Sequence, residues 1–478
     1  MEDLLDLALE CAGRLGVDYA EARFQSDILE SILLKNGVPE ASTVEELRGL
    51  SVRVIYNGGL GFASTNNLTR RAVRGLAKRA FKMARTSSSL LKVGVMMGKG
   101  RLGEGRRVMV KPRVSFDCVD LDSKIELLRE ADRAGVEVAE EMKTKLPARM
   151  LTLDMTETEK MVKTSDGADV TSLTPRVALF AFITAQHPQK GAIQRMLHLG
   201  ESRGWEAVER WDITNLMKDE AETLSRILLE AESPPKGVMD VVLGPEVIGL
   251  VSHESSGHPG EADRILGREA AQAGETYLKA DSIGLRVGSE AVNVVDDPTI
   301  MGSFGFYLYD EEGVEARKRI LIKEGAINEF LHNRETAFKF GVESNGSSRA
   351  NAYNREPIVR MANTYLEPGD YKKEELIEDI KEGIYIKSFM EWNIDDRRFN
   401  QRYVGLEAYK IEKGELKGMV KNPILEVTTI GLWSAVDAVG RDLEFQAAYC
   451  GKGDPMQGIP VWTGGPHVRL RNIRFGGI

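Results

Sequence analysis

The pattern of apolar and polar positions predicts a mixture of helices and strands at the start of the chain. Apolar side chains recur with helical spacing in residues 4–12, which predicts an amphipathic helix. Residues 18–35 and 51–56 carry a strand-like pattern, and a second amphipathic helix is predicted over residues 67–86. The first block of the chain is therefore expected to arrange strands and helices around one layer.

Long runs in which polar and apolar residues alternate dominate the next block. Helices are predicted near its two ends, over residues 122–142 and 212–230. Between them lie four alternating runs, at residues 148–156, 160–164, 176–185 and 192–200. Asp166-Gly167 predicts a tight turn, so these runs indicate an antiparallel meander. Such a sheet is usually a scaffold, and its alternative use is an exposed edge to which an extended peptide adds as a strand.

Two segments rich in turn-forming residues divide the chain into three parts. Residues 98–107 are rich in Gly, Lys and Arg, and residues 233–237 read Ser-Pro-Pro-Lys-Gly. We therefore predict an N-terminal α+β subdomain at 1–106, an antiparallel sheet with helices at 107–232, and a larger β-rich domain at 233–478. The expected fold class is α+β, in a mixed, multi-domain chain.

The third part is predicted to combine several strands with short helices. Strand patterns occur at residues 292–295 and 319–323, and the end of the chain through residues 469–471 is β-rich. A helix is predicted over residues 372–382, capped by Gly383.

Composition restricts the possible partners and the compartment. The chain has 478 residues and a formal net charge of −9, so no overall basic field attracts nucleic acid or an anionic membrane. The sequence has no apolar run long enough to span a bilayer and no signal-peptide pattern. Three cysteines in such a long chain argue against a disulfide scaffold. We expect a cytoplasmic protein that binds neither nucleic acid nor membrane.

One short segment, His-Glu-Ser-Ser-Gly-His, carries the chemistry of a metal site. His253 and His258 are two imidazole ligands, and Glu254 lies beside the first of them. The histidines are five residues apart, which rotates a regular helix by roughly 140°, so the backbone must depart from α geometry between them. Gly257 is a good helix terminator, and Pro259 disfavours the α region for His258. We predict a wide, π-like turn or a helix end before Pro259.

A catalytic zinc ion needs a third protein ligand and an open position, and the cysteines are candidates for that ligand. Cys11 lies in the first amphipathic helix, where it is expected to be a small buried apolar residue. Cys118 lies in a strand-like segment without ligand neighbours. Cys450 opens a glycine-dense stretch beside Lys452, which favours the thiolate form. Composition alone still favours an ordinary loop cysteine at position 450.

The order of several motifs resembles the TldD/PmbA family of metallopeptidases, and more narrowly its metal-bearing TldD branch. The resemblance covers nearly the whole chain and rests on residues 18–23, on the His-Glu-x-x-x-His segment with the acids that follow it, on Asp-Glu-Glu-Gly-Val at 310–314, on Arg-Met-Ala-Asn at 360–363, on Cys-Gly-Lys at 450–452 and on Phe-Gly-Gly at 475–477.

This resemblance implies a metal site held by His253, His258 and Cys450, with Glu254 as the general base. All of these residues lie in the third part, which is therefore expected to be the catalytic domain, with the other two parts framing the substrate. The resemblance also implies a dimer, either a homodimer or a heterodimer with a metal-less homologue.

Chemistry restricts the metal and suggests further site residues. Zinc is the expected ion, although the thiolate makes the site less electrophilic, so iron or another divalent ion stays open. Glu261 and Asp263 are candidates to orient an imidazole, and the alternative is that they are surface acids at a helix end. His467 is a candidate to polarise the scissile carbonyl, but a solvated loop histidine is favoured. The remaining histidines have no ligand context: His187, His198 and His332.

Three functions of different classes remain at this point. The favoured one is a metal-dependent peptidase for short or unfolded polypeptides, in which Glu254 activates a water. The second is a metal-dependent amidase that acts on modified peptides. The third is a regulatory binding protein with a structural metal, as the gyrase-modulator label in this family suggests. An available base and an incomplete set of ligands argue against the third, because structural zinc sites normally have four protein ligands.

Overall fold

The computed structural model describes residues 1–269 and 274–475, so Gly476 and Gly477 of the last motif lie outside the described residues. The α-helices are α1 (Glu2–Gly13), α2 (Arg70–Ser88), α3 (Leu121–Glu141), α4 (Glu206–Trp211), α5 (Ile213–Glu230), α6 (Pro245–Ser252), α7 (Ala262–Ile265), α8 (Arg334–Phe340), α9 (Lys373–Glu378) and α10 (Thr429–Ala435). A 3-10 turn spans Phe116–Cys118, and a π-helical turn spans His253–Gly257.

The strands in the first half of the chain are long, and those in the second half are short. They are β1 (Tyr19–Lys35), β2 (Val38–Tyr56), β3 (Gly59–Thr65), β4 (Arg106–Met109), β5 (Lys145–Thr164), β6 (Asp169–His187), β7 (Gly191–Glu201), β8 (Gly237–Leu243), β9 (Val294–Asp296), β10 (Arg319–Lys323), β11 (Ala326–Ile327), β12 (Ser348–Arg349), β13 (Ile358–Val359), β14 (Asn363–Leu366), β15 (Glu382–Ile386), β16 (Phe389–Ile394), β17 (Asn400–Gly405), β18 (Ala408–Glu412), β19 (Glu415–Met419), β20 (Ile424–Thr428), β21 (Val436–Val439), β22 (Glu444–Lys452), β23 (Gln457–Gly465) and β24 (Val468–Phe475).

One large sheet contains the first seven strands, in the order β3-β2-β1-β5-β6-β4, with β7 beside β6. All of its strand pairs are antiparallel except β4–β6, which is parallel. The sheet extends from the first predicted part of the chain into the second. The three domain ranges stay predictions.

The two faces of this sheet have different partners because side chains alternate along each strand. On β1, Ala22 and Phe24 pack with α1 and α2, and Ile32 and Leu34 belong to the core that α3 and α5 cover. Glu21 lies on the opposite face, so the sheet has helices on one side and the third part of the chain on the other.

Buried ion pairs join the opposite face of the sheet to the third part of the chain. Arg53 contacts Glu21 at 2.5 Å and Glu312 at 2.7 Å. Arg23 contacts Glu311 at 3.1 Å. Two of the motifs that carry the family resemblance, at residues 18–23 and 310–314, therefore meet at this interface.

The third part of the chain is built from two larger sheets with α6 packed between their strands. One has the order β16-β17-β20-β24-β8-β15-β18-β19, with β21 beside β24, and the other has the order β11-β10-β9-β14-β23-β22. Val247, Ile248 and Val251 of α6 are buried in a core that also contains Leu243 of β8 and Leu366 of β14. This packing fixes the end of α6, and the two candidate histidines follow directly after it.

The structure confirms the α+β, multi-domain fold class and corrects several predicted elements. The helix predicted over residues 372–382 is wrong beyond Glu378, because buried apolar residues 384–386 place the following segment in β15, with Gly383 inside that strand. β2 begins at Val38, well before the predicted residue 51, since its first half is an exposed polar strand that pairs with β1. Cys118 lies in a 3-10 turn and not in a strand. Within the described residues, no helix is long and apolar enough to span a membrane.

Candidate metal centre

The backbone between the two candidate histidines forms a π turn. Regular α-helix ends at Ser252, and the next five residues, His253–Gly257, are π-helical. The His258 N–H donates to the His253 carbonyl at 3.0 Å, which is the five-residue hydrogen bond of such a turn. The predicted wide turn is therefore confirmed. The two rings are 4.9 Å apart between centroids and meet edge to face.

The predicted cause of this turn was wrong in two respects. His258 keeps α-helical angles, with φ −58° and ψ −45°, although Pro259 follows it. Gly257 also does not take the left-handed conformation, with positive φ, that a helix-terminating glycine usually has. Its role is spatial, because a Cβ at this position would lie 1.9 Å from Met361 Sδ. Glycine therefore lets the π turn approach the strand segment that carries Met361.

Three candidate ligand atoms converge on one buried point. Cys450 Sγ lies 3.2 Å from His253 Nε2 and 3.3 Å from His258 Nε2. All three ligand atoms lie within 4.8 Å of one another, and the three residues are buried. Tetrahedral zinc separates a nitrogen and a sulfur ligand by about 3.6 Å, so small side-chain shifts adapt this set to the ion. Two imidazoles and a thiolate suit zinc and leave the fourth position open.

Cys450 reaches this point from a strand and not from a loop. It lies in β22, paired with Ile459 of β23, and the glycine-dense turn begins only after Lys452. Its backbone carbonyl accepts a hydrogen bond from the buried Arg360 guanidinium. The prediction that Cys450 opens a loop is therefore wrong, and the candidate ligand has the fixed backbone of a sheet.

The surroundings favour the protonation states that bind a metal. Burial lowers the pKa of both imidazoles, that of His258 to about 4. Burial alone would raise the pKa of the Cys450 thiol, but the adjacent His258 ring and the Arg360 guanidinium lower this pKa to about 7. Neutral imidazoles and a thiolate are the forms required for zinc binding.

Glu261 and Asp263 are buried in an ion-pair cluster behind His258. Glu261 Oε2 lies 2.9 Å from His258 Nδ1 and accepts a hydrogen bond from Arg264 Nε at 2.6 Å. Lys452 Nζ lies 3.4 Å from Glu261 and donates to both Asp263 oxygens at 2.7 and 2.9 Å. Burial would raise the pKa of Glu261, but Lys452 and Arg264 hold it well below its usual value. Glu261 thus contacts the His258 ring directly, whereas Asp263 pairs with Lys452 and accepts the backbone N–H of Arg264.

Glu254 is buried and forms an ion pair with a residue that the sequence analysis missed. Its carboxylate accepts a hydrogen bond from the guanidinium of Arg398, in the turn between β16 and β17. Arg398 has a left-handed backbone with φ +60°, and its N–H donates to the Asp395 carbonyl at 2.9 Å. The sequence signal was only a short charged run, Asp-Asp-Arg-Arg at residues 395–398, which usually indicates a solvated turn.

His467 is held away from a catalytic role by its own partners. It is buried, which contradicts the favoured prediction of a solvated loop histidine. Its Nδ1 contacts the Asp442 carboxylate, and its Nε2 lies 2.9 Å from the Tyr385 hydroxyl. Both ring nitrogens are therefore occupied. His332 is also buried, 3.2 Å from Thr336 Oγ1, and His187 and His198 lie in β6 and β7.

The contact of Gly257 with Met361 predicts a specific packing defect. Gly257→Ala should weaken zinc affinity by about tenfold or more, because the new methyl group displaces the π turn and both imidazoles. The measurement is zinc affinity by competition with a chromophoric chelator. The double variant Gly257→Ala/Met361→Ala should recover most of the affinity, and Met361→Ala alone should change it little. Equal losses in the single and double Gly257 variants would refute this packing explanation.

Family models and relatives of known sequence match most of this chain. Family models for the PmbA/TldA metallopeptidase domain 1, central domain and C-terminal domain match residues 20–84, 115–229 and 236–477. A metalloprotease of Methanothermobacter thermautotrophicus is 35% identical over 96% of this chain and 96% of its own length. The zinc metalloprotease TldD homolog of Saccharolobus solfataricus is 25% identical over 98% of both chains.

Solved structures show the same fold at lower identity. TldE from Thermococcus kodakarensis aligns with a TM-score of 0.76 and 18% identity, and the alignment covers 100% of both chains. A putative modulator of DNA gyrase from Thermotoga maritima aligns with a TM-score of 0.77 and 19% identity over 99% of this chain and 100% of that chain. On the matches of the family models and of the curated relatives, this chain belongs to the PmbA/TldD family of metallopeptidases.

Proposed function

We propose that this protein is a zinc-dependent peptidase that hydrolyses peptide bonds in short or unfolded polypeptides. The observation that carries the proposal is the convergence of His253, His258 and Cys450 on one point, with Glu254 next to His253 in the same buried π turn. Zinc is favoured by this donor set and by the name of the Saccharolobus solfataricus relative. A cytoplasmic location and a dimer, with itself or with a metal-less homologue, are further parts of the proposal.

Each residue of the site has a defined task in this reaction. A zinc ion held by the three ligands would supply an acidified water and polarise the scissile carbonyl. Glu254, one residue from a ligand, takes the proton of the attacking water and returns it to the departing amine. Glu261 fixes the His258 ring through the 2.9 Å contact, which keeps Nε2 directed at the point where the three ligand atoms converge.

We assign to Arg398 the stabilisation of the negative charge that forms on the carbonyl oxygen of the substrate. In this structure its guanidinium neutralises the buried Glu254 carboxylate, which is otherwise costly to bury. A substrate that enters beside Glu254 brings a carbonyl oxygen that gains negative charge during attack. Arg398 can then turn from the carboxylate to that oxygen, which frees Glu254 to act as a base.

The substrate is proposed to lie along β22 as an added strand. β22 is the outer strand of the six-stranded sheet and carries Cys450. Side chains of an added strand would alternate between the Cys450 face and the Tyr449 face. A cavity of about 240 Å³ lies on the Tyr449 face, lined by apolar residues that include Phe180, Leu199 and Phe304. This cavity suits an apolar side chain of the substrate.

The first experiment separates a catalytic from a structural metal. Glu254→Gln should keep one zinc per chain and lose peptidase activity by a factor on the order of 10² or more, because the base is gone. Cys450→Ser should lose zinc while keeping its circular dichroism spectrum, since serine is nearly isosteric. Elemental analysis and a fluorogenic unfolded substrate provide the measurements, with Cys118→Ser as the control. Normal turnover by Glu254→Gln would exclude the peptidase mechanism and favour a regulatory protein with a structural metal.

The role of Arg398 predicts a defect in turnover and not in metal content. Arg398→Met should lower kcat roughly tenfold to a hundredfold with zinc retained, because a charged donor to the transition state is lost. Arg398→Lys, or guanidinium ion added to Arg398→Met, should restore part of kcat. The matched control is Arg397→Met, at an exposed neighbouring position in the same turn. Equal kcat for Arg398→Met and Arg397→Met would remove Arg398 from the reaction.

Strand addition predicts a dependence on substrate length and folding. Peptides of about eight or more residues should be cut much faster than dipeptides, since several ladder bonds at about 3.3 Å per residue hold them. A folded domain that contains the same sequence should resist until it is unfolded, because its backbone is not free to pair. Mass spectrometry of a length series and of one domain in native and denatured forms tests this. Activity confined to dipeptides, or rapid cutting of the native domain, would contradict strand addition.

A further inference from the structure

A small cavity lies between the large sheet and the third part of the chain, apart from the candidate metal centre. Its volume is about 50 Å³, and its floor is one face of β5 and β6. Thr158 pairs directly with Thr174 there, and Lys160 pairs with Ser172. The residues that close it come from the segment 306–311 and from β12.

Among the described residues, two arginine side chains in the wall of this cavity have no ion-pair partner. Arg176 donates to the carbonyls of Phe304 and Phe306, at 3.3 and 3.1 Å. Arg349 donates to the carbonyls of Met361 and Pro460, at 2.7 and 3.1 Å, and its guanidinium carbon lies 5.0 Å from the centre of the Tyr307 ring. Within the described part of the chain, no carboxylate oxygen lies within 4.0 Å of either guanidinium, although ion pairs hold the arginines of the neighbouring interface.

Both guanidinium groups line one small cavity, where the charge of Arg176 acts against that of Arg349. Burial lowers the pKa of Arg349 to about 10, and the guanidinium groups of Arg176 and Arg360 add to this effect while Tyr307 opposes it. Burial also lowers the pKa of Arg176, although the Asp27 and Glu311 carboxylates act in the opposite direction. Two like charges at a buried site are unfavourable unless an opposite charge lies between them. Their placement around one cavity therefore indicates that an anion belongs there.

The acids in the cavity wall are engaged elsewhere. Glu311 pairs with Lys160 and, at 3.1 Å, with Arg23, so two cations neutralise it. Asp310 accepts the N–H groups of Glu312, Val314 and Ser348, at 2.9, 3.0 and 3.0 Å. Neither carboxylate is therefore directed at the arginines.

Hydroxyl groups complete the lining. The Ser348 side chain is fully buried, and its Oγ has no hydrogen-bond partner. Ser172 and Thr174 also line the cavity, and among the described residues neither hydroxyl makes a hydrogen bond to another group. An unpaired buried hydroxyl is costly, and Ser348 Oγ lies in the wall that also carries the two guanidinium groups and the hydroxyls of Ser172 and Thr174.

We propose that this cavity is a binding site for a small oxyanion, held by Arg176, Arg349 and the hydroxyls of Ser172, Thr174 and Ser348. The volume corresponds to about three or four water molecules, which suits a phosphate-sized anion or a single carboxylate group. The anion would also join the large sheet to the third part of the chain. The proposal goes beyond the peptidase function and does not depend on it.

Sulfate is the probe for the test, because its charge is constant near neutral pH and it is a weak zinc ligand. Titration calorimetry on the full-length protein should show one sulfate site per chain, with chloride at the same ionic strength as the reference. Arg349→Met and Arg176→Met should each weaken sulfate binding by about tenfold or more, since each loses a charge-assisted donor. Arg101→Met is the control, because Arg101 is exposed and pairs with Glu315 at 2.8 Å.

A serine variant and a second kind of ligand test the proposed anion site further. Ser348→Ala keeps both guanidinium groups and should weaken sulfate binding several-fold with an unchanged circular dichroism spectrum. If peptides with a free C-terminus bind in an Arg349-dependent manner and sulfate does not, the same oxyanion chemistry serves a peptide carboxylate. The absence of binding by either ligand to the folded wild type overturns the proposal. Binding that chloride matches, or that survives in both arginine variants, also overturns it.

Discussion

The spacing of the two histidines is the constraint on which the site depends. Five residues on a regular helix would point the imidazoles in different directions, by roughly 140°. The π turn removes that difference with a single five-residue hydrogen bond from His258 to His253. Glycine at position 257 keeps this π turn clear of Met361, whose side chain fills the space where a Cβ would lie. The position of the candidate ligands therefore depends on the packing of α6 between the two sheets, which delivers the chain to this turn.

Because the candidate metal centre is buried, its charged groups also need partners of opposite charge. The site brings a thiolate and three carboxylates, those of Glu254, Glu261 and Asp263, out of water. Such charges are tolerated only when opposite charges or strong hydrogen bonds accompany them. Glu261 and Asp263 share Lys452, which follows Cys450 by two positions in β22. One strand therefore carries both a candidate metal ligand and the cation that stabilises the acids behind His258.

Sequence patterns predicted local features well and long-range partners poorly. The π turn followed from spacing alone, because both histidines lie in one short segment whose geometry is local. The strand character of Cys450 was hidden by the glycines after it, since pairing with Ile459 depends on a strand that follows the turn. Arg398 could not be predicted, because it lies 144 residues from Glu254 and its charged turn resembles any solvated turn. The helix predicted through Glu382 failed because burial in the sheet overrode a local helical pattern.

The interface between the large sheet and the third part of the chain also depends on partners that are distant in sequence. β1 is a long strand whose pattern is easily read, but its charged residues Glu21 and Arg23 are buried, which alternation alone would assign to solvent. The partner of Arg23, Glu311, lies almost three hundred residues later in the chain. Because the segment around Glu311 also closes the cavity beside Arg349, which donates to the carbonyl of Met361, contacts at the interface are linked to the residue that packs on Gly257. Arg349 and Met361 therefore form a continuous series of contacts from this interface to the π turn.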